Sequence, residues 1–578
     1  MKGTILRRTF GYIGRYWFML LICGVSAVIS VGAFLLLPVI TGRVIDQIIG
    51  AGQVDFDAVI VLLRHFAALL ATAAVFQWIM LVQARRISAG VAQDLRRDAF
   101  GCIHKAPLEA LDRHPHGDVV SRLISDAETV ADGLLQAISG LLPGFVTVLV
   151  TMVLMLLLDL RIALFVIVVT PLSILPARFI ARRTRRHFQA QNAVQGKMSA
   201  FVSELVQNRA QVMATNYEER AQAIFDAENE RFFKANVRAT FYSSLANPTT
   251  RFVNGIIYAA VAIFGALSAV SGVLTIGSLS AFLAYAHQYT RPFNEGAAHL
   301  TQLQAAWAAL ERIYAVIDWP AEAADAPGAV HLTDCAGEVS LRHVSFAYDK
   351  DRPVLQDISL DVSKGAHVAI VGPTGSGKTT LMNLLMRFYD ADQGEISVDG
   401  RAIAQIERGA LRRLYGMVLQ DSWIRRGTVR ENIAYGRPDA TMEEIIEAAK
   451  AAHAHSFIMG LRQGYDTLIT GEDSLSAGQR QLISIARVFL AKPAMLLLDE
   501  ATSSIDTRTE ILVQDSLRRL MGGRTSFIVA HRLGTIKGAS VILVMERGRV
   551  IEQGTHGELL AQNGLYGRLY KSQFENAK

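Results

Sequence analysis

The chain has 578 residues, of which 19% are charged, a net charge of +6 and a mean hydropathy of +0.28. It is too apolar for an ordinary soluble enzyme and long enough for two or more domains, so a membrane portion is expected. The basic residues border apolar stretches, where lipid headgroups account for them, which argues against a nucleic-acid partner; Cys23, Cys102 and Cys335 have neither disulfide-framework nor metal-ligand spacing.

Met1 to Arg15 is basic and leads into an apolar run too long for a signal-peptide core, with no small-residue cleavage site, so the first span is expected to be retained. Six stretches can cross about 30 Å of hydrocarbon. They are Trp17 to Ile40, Ala58 to Val82, Leu134 to Leu158, Leu160 to Ile180, Phe252 to Val273 and Ile276 to Leu300. Two long polar segments, 83 to 133 and 181 to 251, hold basic clusters such as Arg96, Arg97, Arg182, Arg183, Arg185 and Arg186, whereas the other connections are short and poor in Lys and Arg. The positive-inside rule places both long segments and both termini in the cytoplasm.

Ala89 to Ile103 and Ala200 to Val212 keep helical apolar spacing, which predicts that the membrane helices extend into the cytosol. They should turn near Leu108 to Gly117 and near Asn208 to Asn216, where Pro115, Gly117, Asn208 and Asn216 punctuate the pattern. Such turns are either docking points for a second domain or plain connectors.

The sixth stretch carries Arg291, Asn294, Glu295 and His299 in an otherwise apolar helix. Ionisable groups at membrane depth are costly, so these four are candidate residues of a substrate cavity, with Tyr285 and Tyr289 as its aromatics. The alternative is a self-neutralising Arg291 to Glu295 pair one turn apart; the cavity is preferred because such a pair still costs more than leucine. Asn254, in the fifth stretch, is expected to make a helix-helix hydrogen bond.

Residues 1–316 thus form an α-helical six-span transmembrane domain, 317–336 a polar linker, and 337–578 an α/β domain of alternating strands and helices. The strand His367 to Val371 runs into Gly372-Pro373-Thr374-Gly375-Ser376-Gly377-Lys378-Thr379-Thr380, which has phosphate-loop spacing. Its glycines let backbone N-H groups turn toward a nucleotide's phosphates at a helix N-terminus, Lys378 reaches the β- and γ-phosphates, and Thr379 ligates Mg²⁺. Further on, Leu496-Leu497-Leu498-Asp499-Glu500 ends a buried strand with a carboxylate for the Mg²⁺ shell and a second that can orient or deprotonate a water. His531 follows another buried strand, Phe527 to Ala530, and can donate to the γ-phosphate.

With Leu475-Ser476-Ala477-Gly478-Gln479 added to these motifs, the chain resembles the ATP-binding cassette (ABC) transporters over about residues 337 to 575. Its six spans with two cytosolic extensions resemble the exporter-type (type IV) half-transporters. The resemblance implies an α/β P-loop ATPase using ATP and Mg²⁺, with Glu500, His531 and Gln420 catalytic and Thr379, Gln420 and Asp499 around the metal. It further implies that Tyr348 stacks on adenine, that Gln420 also contacts the membrane domain's turns, and that Ser503 to Asp506 connects two ATP sites. Ser476, Gly478 and Gln479 then close over the ATP of a second subunit, which makes a functional transporter a dimer.

Two positions depart from the family pattern: Ala477 replaces the first signature glycine, and Ile469 to Ser474 is about two residues short. An intact Glu500 beside an altered signature, with Tyr289 to Glu295 and Ser503 to Glu510, resembles the consensus subunit of bacterial heterodimeric multidrug exporters. A heterodimer is therefore expected over a homodimer. The implied function is ATP-driven export of a small amphipathic or hydrophobic molecule across a bacterial inner membrane by alternating access, with lipid flipping or siderophore or peptide transport as the alternatives.

Overall fold

The computed structural model describes residues 2–48, 54–172, 174–419, 422–471, 474–499, 505–529 and 536–571. They fall into two compact units: residues 1–105 with 114–319, and residues 106–113 with 320–578.

The first unit is helical. A short amphipathic helix, Lys2–Gly14, precedes Trp17–Ile48 and Phe56–Lys105. The chain resumes as a continuous helical run, His116–Leu158, that absorbs two π-helical turns, Arg122–Asp126 and Ala137–Leu141. After it come Leu160–Leu172, Ile174–Gln207, Glu218–Ser244, Ala246–Val270 and Ile276–Ile317. Proline and asparagine mark the breaks: Pro107 and Pro115 precede the helices after Lys105, and Asn216 (φ +50°) precedes Glu218. Among the described residues four helices are long and apolar enough to span a membrane: Trp17–Ile48, Phe56–Lys105, His116–Leu158 and Arg251–Val270. Ile276–Ile317 is not among them because polar residues from His287 to Glu295 dilute its apolar content, and part of the predicted fourth span falls at residue 173, outside the described residues.

Beside a two-stranded antiparallel ribbon of Gly427–Thr428 (β7) and Leu468–Ile469 (β8), the second unit is built on two main sheets. The smaller is antiparallel, of order β2-β1-β4-β5, from Val339–Asp349 (β1), Arg352–Val362 (β2), Gln393–Val398 (β4) and Arg401–Ala402 (β5). The larger has the order β12-β11-β3-β10-β9-β6, with His367–Val371 (β3), Tyr415–Val418 (β6), Met495–Asp499 (β9), Thr525–Val529 (β10), Val541–Glu546 (β11) and Arg549–Gly554 (β12). All its pairings are parallel except β11 with β12.

Side chains of the larger sheet alternate between two cores, as a strand's period of two demands. Ala369, Leu496, Leu498, Ile528 and Ile542 face a core shared with the helix Ala477–Ala491, whereas Val368, Ile370, Leu497, Phe527 and Leu543 face one shared with the smaller sheet and the helix Lys378–Leu385. Burial on both faces is why these strands read as unbroken apolar runs. The segment expected as a linker is bonded to this unit: Glu322 pairs with Arg412 (2.5 Å), the Ala323 carbonyl accepts from Arg408, and Val330 exchanges backbone hydrogen bonds with Gln405 and Glu407.

Candidate functional site

The carboxyl ends of three adjacent parallel strands, β3, β10 and β9, place Gly372, Val529 and Asp499 along one sheet edge. After Val371 the chain turns tightly. Gly375 and Gly377 have φ of +80° and +102°, a region that side chains strain. A Cβ on Gly377 would stand 2.6 Å from Leu355 Cδ2, and one on Gly372 would collide with the Met545 carbonyl. The loop therefore needs glycine both for its backbone conformation and for its close approach to β2 and β11.

Lys378 opens the following helix and arches back, its Nζ donating to the carbonyls of Gly372 and Pro373 at 2.9 Å each. Burial lowers its pKa from the ordinary lysine value, and the Asp499 carboxylate opposes that shift. A half-buried ammonium held on weak carbonyl acceptors is suited to a strong anionic acceptor. Ser376 is buried and its Oγ has no hydrogen-bond partner among the described residues. These features fit a polyphosphate at a helix N-terminus, with the hydroxyl of Thr379 next to Lys378.

Tyr348 is 41% exposed, its ring held edge-on by Phe346 (4.9 Å, 85°) and Tyr389 (5.0 Å, 87°). Its hydroxyl accepts from Asn383 Nδ2 at 3.3 Å, which ties it to the helix that Lys378 begins. The ring thus has a rigid mount and an accessible surface, as base stacking needs. Tyr389 donates through its hydroxyl to the Asp112 carboxylate on the short helix Leu108–Asp112, and Leu108 packs on the adjoining core. Neither Asn383 nor Tyr389 was legible as a site residue, since each acts through another side chain and belongs to no motif.

Ser476 caps the helix Ala477–Ala491 in a reciprocal box: its Oγ accepts from Gln479 N at 3.3 Å and Gln479 Oε1 accepts from Ser476 N at 3.0 Å. A Cβ on Gly478 would strike Thr509 and stand 2.9 Å from Ile505 Cγ2, so this glycine is a packing requirement. Ala477 occupies the first helical position, where alanine is well accommodated. Asp506 caps Thr507–Met521 by accepting from Thr509 N at 3.0 Å. Gln420, Glu500, Ser503, Ser504 and His531 lie outside the described residues. The segment after Gln420 is anchored by Arg487, which donates to Asn432 O (2.6 Å), Asn432 Oδ1 (2.7 Å) and Trp423 O (2.7 Å).

The first unit holds a cavity of about 960 Å³ between Ala246–Val270 and Ile276–Ile317. Arg291, Asn294 and Glu295 line it; His299 does not, and lies against Gly140, where a Cβ would stand 2.5 Å from the imidazole. Gly140, which has no side chain, lets the two helices approach closely there, and the ring is half-buried. Tyr285 and Tyr289 are also elsewhere: both are buried, with the Tyr285 hydroxyl donating to Leu35 O at 2.7 Å, and Tyr258 is the cavity's aromatic. Asn254 lines the cavity as well, its buried Oδ1 without a hydrogen-bond partner among the described residues, so the expected helix-helix bond is not made by that atom. Arg291 Nε does bond Glu295 Oε1, at 2.8 Å, yet the pair lines a cavity, so the two readings of that pair are compatible.

Residues 20–293 match the ABC transporter transmembrane region family and residues 355–503 the ABC transporter family. The chain is 41% identical to the fatty acid ABC transporter ATP-binding/permease protein of Mycobacterium bovis over 523 residues, 90% of this chain and 82% of the relative. It is 36% identical to an ATP-dependent lipid A-core flippase of Syntrophus aciditrophicus, over 85% of this chain and 82% of that one. Its fold is similar to the structure of a bacterial Atm1-family ABC exporter with ATP bound, with a TM-score of 0.75, 28% identity and 99% of each chain covered.

Proposed function

The chain belongs to the ABC transporter family, as an exporter-type (type IV) half-transporter whose second domain couples ATP hydrolysis to transport, and we propose that its cargo is a small amphipathic molecule moved by alternating access. The observation that carries this reading is the cavity of about 960 Å³ in the membrane unit, lined by charged and apolar side chains together. Its size suits a drug-sized or lipid-like molecule. The names of the two relatives, one for fatty acids and one for lipid A, support an amphiphile over a compact polar solute.

In this reading the N-H groups of Thr374 to Thr380 and the Lys378 ammonium hold the phosphates, with Gly372 shaping the loop, while Tyr348 stacks on adenine. Thr379, Asp499 and Gln420 would hold Mg²⁺, which supplies charge neutralisation across the β- and γ-phosphates. Glu500 orients or deprotonates the attacking water and His531 contacts the γ-phosphate. Ser476, Gly478 and Gln479 close over the ATP of a second half-transporter. Intact Glu500 beside Ala477 favours a heterodimer in which the partner lacks its catalytic glutamate. The basic segments 83–133 and 181–251 support an inner-membrane location with cytoplasmic termini.

The test is Glu500→Gln in the assembled transporter, in proteoliposomes. ATP binding should persist while hydrolysis and ATP-dependent movement of a fluorescent amphiphile fall at least about a hundredfold, the scale of losing one group that acts in the transition state. Unchanged hydrolysis would sink the assignment of Glu500, and brisk hydrolysis by the unmutated protein without vectorial movement of any amphiphile would sink the cargo reading.

A further inference from the structure

The cavity in the membrane unit is chemically lopsided. Ala246–Val270 and Ile276–Ile317 are joined by the short turn 271–275, and Arg251 and Glu295 stand equally far along the two helices from it. Arg251, Arg291 and Glu295 therefore share one end of the cavity, while Ile257, Tyr258 and Leu283 line the wall nearer the turn.

The charges at that end do not cancel. Glu295 is engaged by Arg291, whose Nε donates to it at 2.8 Å. Among the described residues no hydrogen bond or ion pair engages Arg251, and the lining carries two arginines against one carboxylate. An unpaired guanidinium beside an apolar wall is stabilised by an incoming anion, and its planar fork matches two oxygens of one head group. The same end would repel a cationic head, since Glu295 is already neutralised. Asn254 Oδ1, buried and without a hydrogen-bond partner among the described residues, adds an acceptor for a hydroxyl on the bound molecule or for a water it brings.

We infer that this cavity selects a single-chain amphiphile with an anionic head, the head at Arg251 and the chain along Ile257, Tyr258 and Leu283. Carboxylate and phosphate heads share this chemistry. The inference rests on the transport reading above and narrows its substrate class.

The experiment uses the full chain, with its partner half where one is needed for assembly, in phosphatidylcholine nanodiscs. Equilibrium binding is measured for four probes of one alkyl length: myristate, myristyl phosphate, myristyl trimethylammonium and myristyl alcohol. Both anions should bind at least about tenfold more tightly than the ammonium and the alcohol, the size of one charge-assisted contact. The ratio of myristate to myristyl phosphate then identifies the preferred head. Arg251→Gln should erase the anion preference while the alcohol binds within about twofold of its unmutated affinity, and Arg251→Lys should restore most of it. Equal or tighter binding of the ammonium by the unmutated protein overturns the inference whatever the variants do, as does an undiminished anion preference in Arg251→Gln. A protein that prefers the anions and hydrolyses ATP, yet moves none of the four probes in proteoliposomes, would refute transport and leave the binding inference standing.

Discussion

The two units solve opposite packing problems. In the ATPase unit large apolar side chains fill the interior: Ile370, Leu497 and Phe527 are fully buried between a helix layer and a second sheet. In the membrane unit Leu157 and Val270 are 77% and 88% exposed, and the contact between Trp17–Ile48 and Phe56–Lys105 includes the small residues Cys23, Ala27 and Ala84 together with Met80, and the Ser30 hydroxyl, which donates to Ala73 O at 2.9 Å. Water drives the first arrangement. Lipid offers no such drive, because its chains are as apolar as leucine, so membrane helices hold together through close backbone approach and local hydrogen bonds.

The contrast makes glycine substitutions the sharpest probe. Gly42 and Gly277 face each other with no room for a Cβ on either, and Gly277 N donates to Asp46 Oδ1 at 2.7 Å. Gly277→Val should cost about 3 kcal/mol, the upper range for overpacking. Detergent-resistant folding of the membrane unit should fall while ATP binding by the second unit is kept; a fully stable variant would break the claim that close backbone approach holds this unit together.

A smaller effect is expected in the ATPase unit. Gly478→Ala drives a methyl into Thr509 and should destabilise by about 1–3 kcal/mol, whereas Ala477→Gly, at a helix start, should change stability by less than about 1 kcal/mol. Thermal melts of the two variants in the same membrane preparation measure the gap. If they melt together, the signature glycine answers to nucleotide contact alone.

The third probe asks what holds 106–113 in the ATPase unit. Tyr389→Phe removes the donor to Asp112, a hydrogen bond to a charged group worth about 1.5–3 kcal/mol before solvent screening. Amide exchange in 106–113 should quicken several-fold while exchange in β3 stays as it was; unchanged protection would assign the hold to Leu108 packing instead.

What the sequence shows and hides follows the same division. The fold class was legible because buried parallel strands are apolar runs and membrane helices are long ones. The phosphate loop was legible because contiguous residues make it. Tyr389 was not, since its partner Asp112 is 277 positions away and neither residue type announces a pairing. In the membrane unit, polar residues on Ile276–Ile317 announced a cavity, but which of them face it depends on the neighbouring helix: Gly140 claims His299, and Leu35 claims Tyr285.

By itself, then, the sequence determined that this chain pairs a membrane-spanning helical domain with a P-loop ATPase, because those signals are local in period and spacing. Only the tertiary structure decided that Asn254 and Arg251 join Arg291 in the cavity, that Tyr348 is mounted on Tyr389 and Asn383, and that 106–113 packs within the ATPase unit. The reason is physical: a side chain's direction is set by the elements packed against it, and those contacts join residues that the chain keeps far apart.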